Sequence, residues 1–220
     1  MKNALIIIFI FFITCHAKAQ TNSENLFYMT DTPESFKSFI KNIRQISIVC
    51  PQTFLISSSG VLSGSVDRRI LDSARKYKIK VMPLIVNGGF NSQLLHTILI
   101  NPNARKRSIR MMLDYAKKYK LDGWQFDLEG LNINDRDSFT IYFKETATAL
   151  HQAGLSLSAA LVHNIENVGG PSPYHNSLYE NWRAGYSFKS WLQLVIFYPS
   201  WLMTSIHHVL LQDLWPGLIG

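Results

Sequence analysis

The chain has 220 residues, two of them cysteines, and carries 22 lysines and arginines against 15 acids, a formal charge of +7. That charge lies largely in helix-like runs, Arg105 to Arg110 and Lys117 to Lys120, without the aromatic platforms or recognisable module of a nucleic-acid binder; a solvated basic face is expected, and no nucleic-acid partner. With at most one disulfide available, the fold must be held by its core.

The first residues, MKNALIIIFIFFITCHAKAQ, combine Lys2, an apolar run from Ala4 to Ile13 and a small-x-small site at Ala17-Lys18-Ala19. This is the pattern of a secretory signal peptide over residues 1–19, and its apolar run is too short for a membrane span. The chain is therefore expected to be secreted or periplasmic, with no stable membrane span after cleavage. The alternative is a lipoprotein anchored through Cys15, although Thr14 and Phe12 suit the positions before such a cysteine poorly. Cleavage before Gln20 leaves 201 residues, a charge of +5 and Cys50 as the single thiol, so no intramolecular disulfide is expected. That length suits one domain but falls short of the roughly 250 residues of a complete eight-stranded α/β barrel.

Leu26 to Met29 reads as a first strand, and Pro33 opens a helix to about Ile43 that Asp31 or Thr32 can cap. Ile46 to Cys50 is β-rich and should stop at Pro51; Ser57 to Ser65 then reads as a loop or hairpin. Val66 to Tyr77 has helical spacing with Ile70, Leu71, Ala74 and Tyr77 on one side, followed by an apolar strand over Lys80 to Val86. Asn87-Gly88-Gly89-Phe90 leaves that strand, either as a substrate-side loop or as a simple glycine turn. A helix runs from Asn101-Pro102 to about Tyr119.

The next stretch, LDGWQFDLEG from Leu121 to Gly130, has the spacing that a strand converts into a row of polar groups. Gln125, Asp127 and Glu129 fall on one face; Trp124, Phe126 and Leu128 fall on the other. Three polar groups buried on one strand face without partners would be costly, so the arrangement points to a polar site at the mouth of a parallel barrel. Asp135 to Ala153 then gives a helix with Phe139, Phe143, Ala147 and Leu150 spaced for burial, and Leu155 to Val162 a further strand. This β-then-α order predicts a parallel α/β architecture in one domain. His151 and His163 stand alone, without metal-ligand spacing, so both are expected to be structural and no metal is expected.

At these residues the chain resembles glycoside hydrolase family 18, the chitinase-like enzymes, whose fourth barrel strand reads Asp-Gly-x-Asp-x-Asp-x-Glu. Asp122, Gly123, Asp127 and Glu129 match, and Gln125 stands in place of the middle Asp. The amide there, with Glu129-Gly130-Leu131 after it, is similar to the bacterial branch of spore peptidoglycan hydrolases and chitobiases. The resemblance covers about Leu26 to Lys189 and implies a (β/α)8 TIM barrel, of which the first five or so β/α units are legible.

The resemblance also implies the chemistry. In this family the substrate's own 2-acetamido oxygen attacks the anomeric carbon. Glu129 would be the acid and later the base, and Asp127 would orient the acetamido N–H, with Asp122 and Gln125 supporting. Two acids set close together raise the pKa of one, which keeps a proton available. The partners implied are glycans containing β-linked N-acetylglucosamine, such as chitin oligomers or peptidoglycan, without metal or other cofactor. A secreted lectin-like glycan binder is the alternative, although such members usually lack the glutamate that Glu129 supplies.

From Trp191 to Gly220 the pattern fails: there is no Lys or Arg, and no helix-strand pair is legible. The family's sixth strand should carry a Met-x-Tyr-Asp segment whose Tyr and Asp help hold the acetamido group. With permitted codons, reading one frame over from about Phe188 to Trp191 restores a Met-Ala-Tyr-Asp segment; Met203 followed by Thr204 forces its aspartate. The expected organisation is thus a signal peptide over 1–19, a partial barrel over 20–190 lacking the C-terminal strands, and an out-of-frame tail over 191–220 that impairs activity.

Overall fold

The structure is a computed structural model and describes residues 24–161 and 171–186. The expected leader with Cys15, His163 and the tail from Trp191 lie outside these residues. Strand β1 (Leu26–Met29) is followed by helix α1 (Pro33–Asn42), whose first turn is closed by Thr32: its hydroxyl accepts the Ser35 N–H at 3.2 Å. Proline at the first helical position has no N–H to leave unpaired there.

Strand β2 (Ile48–Ile56) pairs in parallel with β1 and does not stop at Pro51. Its ladder changes partner at that point instead. Ile48 and Val49 pair with β4 (Lys80–Val81), whereas Gln52 onward pairs with β5 (Leu84–Asn87), with an irregular register between Gln52 and Phe54. The strand expected in one piece over Lys80 to Val86 is split at Met82-Pro83 for the same reason. Two prolines on neighbouring strands have no N–H to give, so the ladder pauses and resumes. The expected hairpin is present as β3 (Leu62–Gly64), antiparallel to the end of β2.

Helix α2 (Arg68–Tyr77) buries Ile70, Leu71 and Ala74 as its spacing predicts. Tyr77 is 40% exposed, because in the last turn its ring faces the Lys76 ammonium rather than the core. Helix α3 (Ser92–Ile100) is not legible in the sequence reading; Asn91 caps it and Leu95, Ile98 and Leu99 bury it. Helix α4 (Pro102–Tyr119) begins at once, with Asn101 accepting the N–H groups of Asn103 and Ala104. Arg105 departs from the expected solvated face: it is buried, donating to Glu145 at 2.8 Å and to the Leu99 carbonyl, because α4 packs that side on helix α5 (Arg136–Gln152).

Strands β6 (Gly123–Asp127) and β7 (Ser156–Ala159) complete a parallel series in the order β1-β2-β5-β6-β7. Counting β4 and β5 as one interrupted strand, β6 is the fourth barrel strand. Among the described residues β1 and β7 have no second neighbour, so the sheet is open, a partial barrel with helices packed on its outer face. The core lies between strands and helices. Trp124 and Phe126 point outward into it; the Trp124 indole donates to the Met112 carbonyl of α4 at 3.2 Å, and Phe126 lies 5.2 Å from Tyr142 of α5. After β7, a short helix α6 (Pro173–Leu178) and a π-turn over Tyr179–Arg183 carry the chain to Tyr186.

Gly123 marks how closely β7 lies against β6, since a Cβ there would meet the Ser156 carbonyl oxygen at 2.3 Å. Gly123→Ala is expected to cost about 1–3 kcal/mol as an overpacking change. Urea unfolding should show a lower midpoint with an unchanged slope; an unchanged midpoint would mean that β7 does not seat against β6 as described.

Candidate active site

The alternation of β6 divides its residues as the sequence predicts. Trp124, Phe126 and Leu128 are all buried, the first two against the helices. Gln125 turns to the barrel interior, fully buried, and its amide donates to the Tyr28 hydroxyl of β1 at 2.8 Å. As a neutral amide it adds no charge beside the acids. Asp127, two residues on, lines an interior cavity of about 530 Å³ together with Tyr28, Thr30, Gln52, Leu84 and Ala160.

Glu129 lies just beyond the end of β6, where the ladder with β5 has stopped at Val86 and Asp127. Its backbone is nevertheless held. The Glu129 N–H donates to Asn87 Oδ1 at 2.9 Å, and Asn87 Nδ2 donates to the Glu129 carbonyl at 2.8 Å. The Tyr186 hydroxyl donates to the neighbouring Leu128 carbonyl at 2.6 Å. Gly130 then turns the chain with φ of 76°, and a Cβ there would meet the Phe90 carbonyl oxygen at 2.8 Å. Only glycine combines that backbone angle with so close a neighbour. The Phe90 ring, half-exposed beside this turn, meets Trp182 edge-on at 6.0 Å.

Burial pushes the Asp127 carboxyl above its ordinary pKa. Glu129 is raised first by burial and further by the negative charge of Asp127. Burial also raises Tyr186, with the charges of Glu129 and Asp127 adding to the shift, so this phenol stays protonated as a donor beside both acids. The arrangement is a coupled carboxyl pair in which one member is biased to keep its proton.

The structure therefore sets Gln125 and Asp127 on the interior face of β6 beside Tyr28, leaves Glu129 just past the strand's end where it senses the charge of Asp127, and separates Asp122 from them. Asp122 sits at the other end of β6, roughly 16 Å from Asp127 at about 3.3 Å per residue, where its carboxylate accepts the Val81 N–H at 2.8 Å and ties β4 to β6. Tyr28 and Tyr186 are neighbours of these residues that sequence reasoning does not assign, and Asn87, offered only as part of a substrate-side loop or a glycine turn, is the last residue of β5 and holds the Glu129 backbone. For Asn87 a signal existed: an amide at the last position of a strand, directly before Gly88-Gly89. Tyr186 reaches the site across 58 residues of chain, and no local pattern announces that. Among the described residues no group of three or more His, Cys, Asp or Glu is placed to hold a metal ion.

No family model matches the chain. It is similar to the uncharacterized glycosylase YvbX of Bacillus subtilis, 25% identical over 154 residues, 68% of this chain and 45% of that protein. The cortical fragment-lytic enzyme of the same organism is 24% identical over 94 residues, 43% of this chain and 22% of that one. Among solved structures, the spore cortex-lytic enzyme SleL of Bacillus megaterium superposes with a TM-score of 0.67 at 19% identity, covering 76% of this chain and 39% of that one. A chitinase from Chromobacterium violaceum gives 0.64 at 16% identity, covering 76% and 52%. These relatives bear out the resemblance to glycoside hydrolase family 18. The chitinase-like fold is that of a barrel, and the chain spans less than half the length of the curated relatives it matches. No helix among the described residues is long and apolar enough to cross a membrane.

The electrostatic pairing has a direct check in the 220-residue chain. Burial raises Glu129 first and the Asp127 charge adds to it; Asp127→Asn removes the second cause, so the Glu129 carboxyl should titrate at lower pH by carbon-detected NMR. A Glu129 titration unmoved by that substitution would show that the two groups do not sense each other.

Proposed function

We propose that the protein derives from a secreted hydrolase of glycans containing β-linked N-acetylglucosamine, chitin oligomers or peptidoglycan, acting with retention through the substrate's acetamido group. The observation that carries this reading is the coupled pair Asp127 and Glu129 at the C-terminal end of the fourth barrel strand, with Glu129 the member biased toward its protonated form. Glu129 gives its proton to the leaving glycosidic oxygen while Asp127, as carboxylate, accepts the acetamido N–H and aligns the acetamido oxygen behind the anomeric carbon. Water then opens the resulting oxazolinium ion, with Glu129 taking the proton back. No metal or other cofactor enters these steps.

The tail from Trp191 to Gly220 is read as out of frame, and the chain as written as impaired. Two considerations support this. Reading one frame over near Phe188 to Trp191 restores a Met-Ala-Tyr-Asp segment, and as written the acetamido group would lack the Tyr and Asp that the resemblance assigns to a sixth strand. Expression of the gene as written and of a version with the frame restored near the codons for Phe188 to Trp191 separates the two states.

The frame-restored chain is expected to cleave N-acetylglucosamine oligomers or peptidoglycan and to leave glucose oligomers of the same linkage intact, since those lack the internal nucleophile. Glu129→Gln should lower kcat by about 10²–10⁴-fold, the range of a general acid–base group. Full turnover in Glu129→Gln would refute the assigned role. Glycan binding without turnover in the frame-restored parent would favour the lectin reading, and full activity of the 220-residue chain would remove the claim of impairment.

A further inference from the structure

Strand β6 ends at Asp127, yet the acid assigned to the chemistry is two residues further on, where a backbone is ordinarily free to move. Both peptide groups that flank the Glu129 Cα are pinned. The peptide joining Leu128 to Glu129 is held at its oxygen by the Tyr186 hydroxyl and at its N–H by Asn87 Oδ1, and the Glu129 carbonyl is held by Asn87 Nδ2. Asn87 is 1% exposed and is the last residue of β5, one position past the Val86 that pairs with Asp127. Its side chain presents one donor and one acceptor in the same plane, as the next strand residue's backbone would have done. The same Nδ2 lies 3.3 Å from the carbonyl of Asn91, the cap of α3, so the amide cannot rotate away without breaking a third contact.

We propose that Asn87 is a positioning residue for catalysis: its amide replaces the missing ladder partner beyond the end of β6 and so fixes the Glu129 backbone, and with it the approach of the carboxyl to the glycosidic oxygen. The proposal rests on the reading of Glu129 as acid/base, but the restraint itself exists whether or not turnover occurs. No other natural side chain carries this amide at this reach, since that of glutamine lies one methylene further out. Alanine removes both bonds. Aspartate keeps the acceptor for the Glu129 N–H but sets an oxygen against the Glu129 carbonyl, and its negative charge opposes ionisation of Glu129. A catalytic group misplaced by about 1 Å can lose on the order of 10²-fold in rate with substrate binding nearly intact.

Two measurements test this with Asn87→Ala or, should that variant fold poorly, with the near-isosteric Asn87→Leu, which removes the same bonds; Asn87→Asp, which keeps the acceptor for the Glu129 N–H, serves the pH profile alone. In the 220-residue chain, amide hydrogen exchange at Glu129 should accelerate at least tenfold while exchange at Phe126, inside β6, stays as it was. In the frame-restored chain, kcat should fall about 10²-fold with KM within threefold, and Asn87→Asp should move the alkaline limb of the pH profile upward, a change that mere loss of stability would not produce. Ser108→Ala, which removes a buried hydrogen bond to Tyr142 between α4 and α5, serves as the destabilised control with kcat retained. Unchanged exchange at Glu129 would overturn the clamp. Faster exchange with kcat within threefold of the parent would overturn its catalytic role. Absence of turnover in the unsubstituted frame-restored chain would instead defeat the function, and would take the catalytic role of Asn87 with it while exchange still decided the restraint.

Discussion

Everything at this site depends on the two faces of β6. The strand is anchored from outside by Trp124 and Phe126, both fully buried, and truncating either aromatic in such a setting costs about 3–5 kcal/mol. A slip of one residue would place those rings in the interior and the polar residues among the helices, so the apolar face fixes the register of the polar face. The parallel ladders on either side, to β5 and β7, then set the height at which Asp127 emerges. Packing on one face thereby dictates chemistry on the other.

The proposed chemistry asks for acids that the strand does not fully satisfy. Asp127 stands half-buried where the ladder ends, and Glu129 stands beyond it; among the described residues neither carboxyl has an ion pair of the kind that Glu145 makes with Arg105. Burial favours the protonated form of both, and the charge of Asp127 raises Glu129 further. The cost is borne by a backbone that must be held without a ladder. Asn87, Tyr186 and the left-handed turn at Gly130 supply that hold.

Much of this was legible in the sequence because it follows from local periodicity. The facing of Gln125 and Asp127, the burial of Phe139, Phe143, Ala147 and Leu150, and the caps at Thr32 and Asn101 each follow from spacing over a few residues. What escaped depends on partners distant in the chain. Helix α3 is apolar on much of its surface because it is covered by α4 and α5, which blurs its period. Pro51 interrupts a ladder without ending β2, and Pro83 splits the neighbouring strand into β4 and β5 at the same level. Arg105 looked solvated until Glu145, 40 residues on, was placed beside it. Asp122 and Glu129 belong to one motif by spacing, yet lie at opposite ends of the strand, one tying strands together and one held at its backbone by Asn87.

The central claim is that Asp127 at the end of β6 and Glu129 just beyond it work with the substrate's acetamido oxygen as nucleophile, and the stereochemistry of the first product tests it most directly. Proton NMR of the frame-restored chain acting on a β-linked N-acetylglucosamine oligomer, recorded before mutarotation, should show the β-anomer at the new reducing end. First-formed α-anomer would mean direct attack by water, which this arrangement of Asp127 and Glu129 does not provide for, and the account would be wrong.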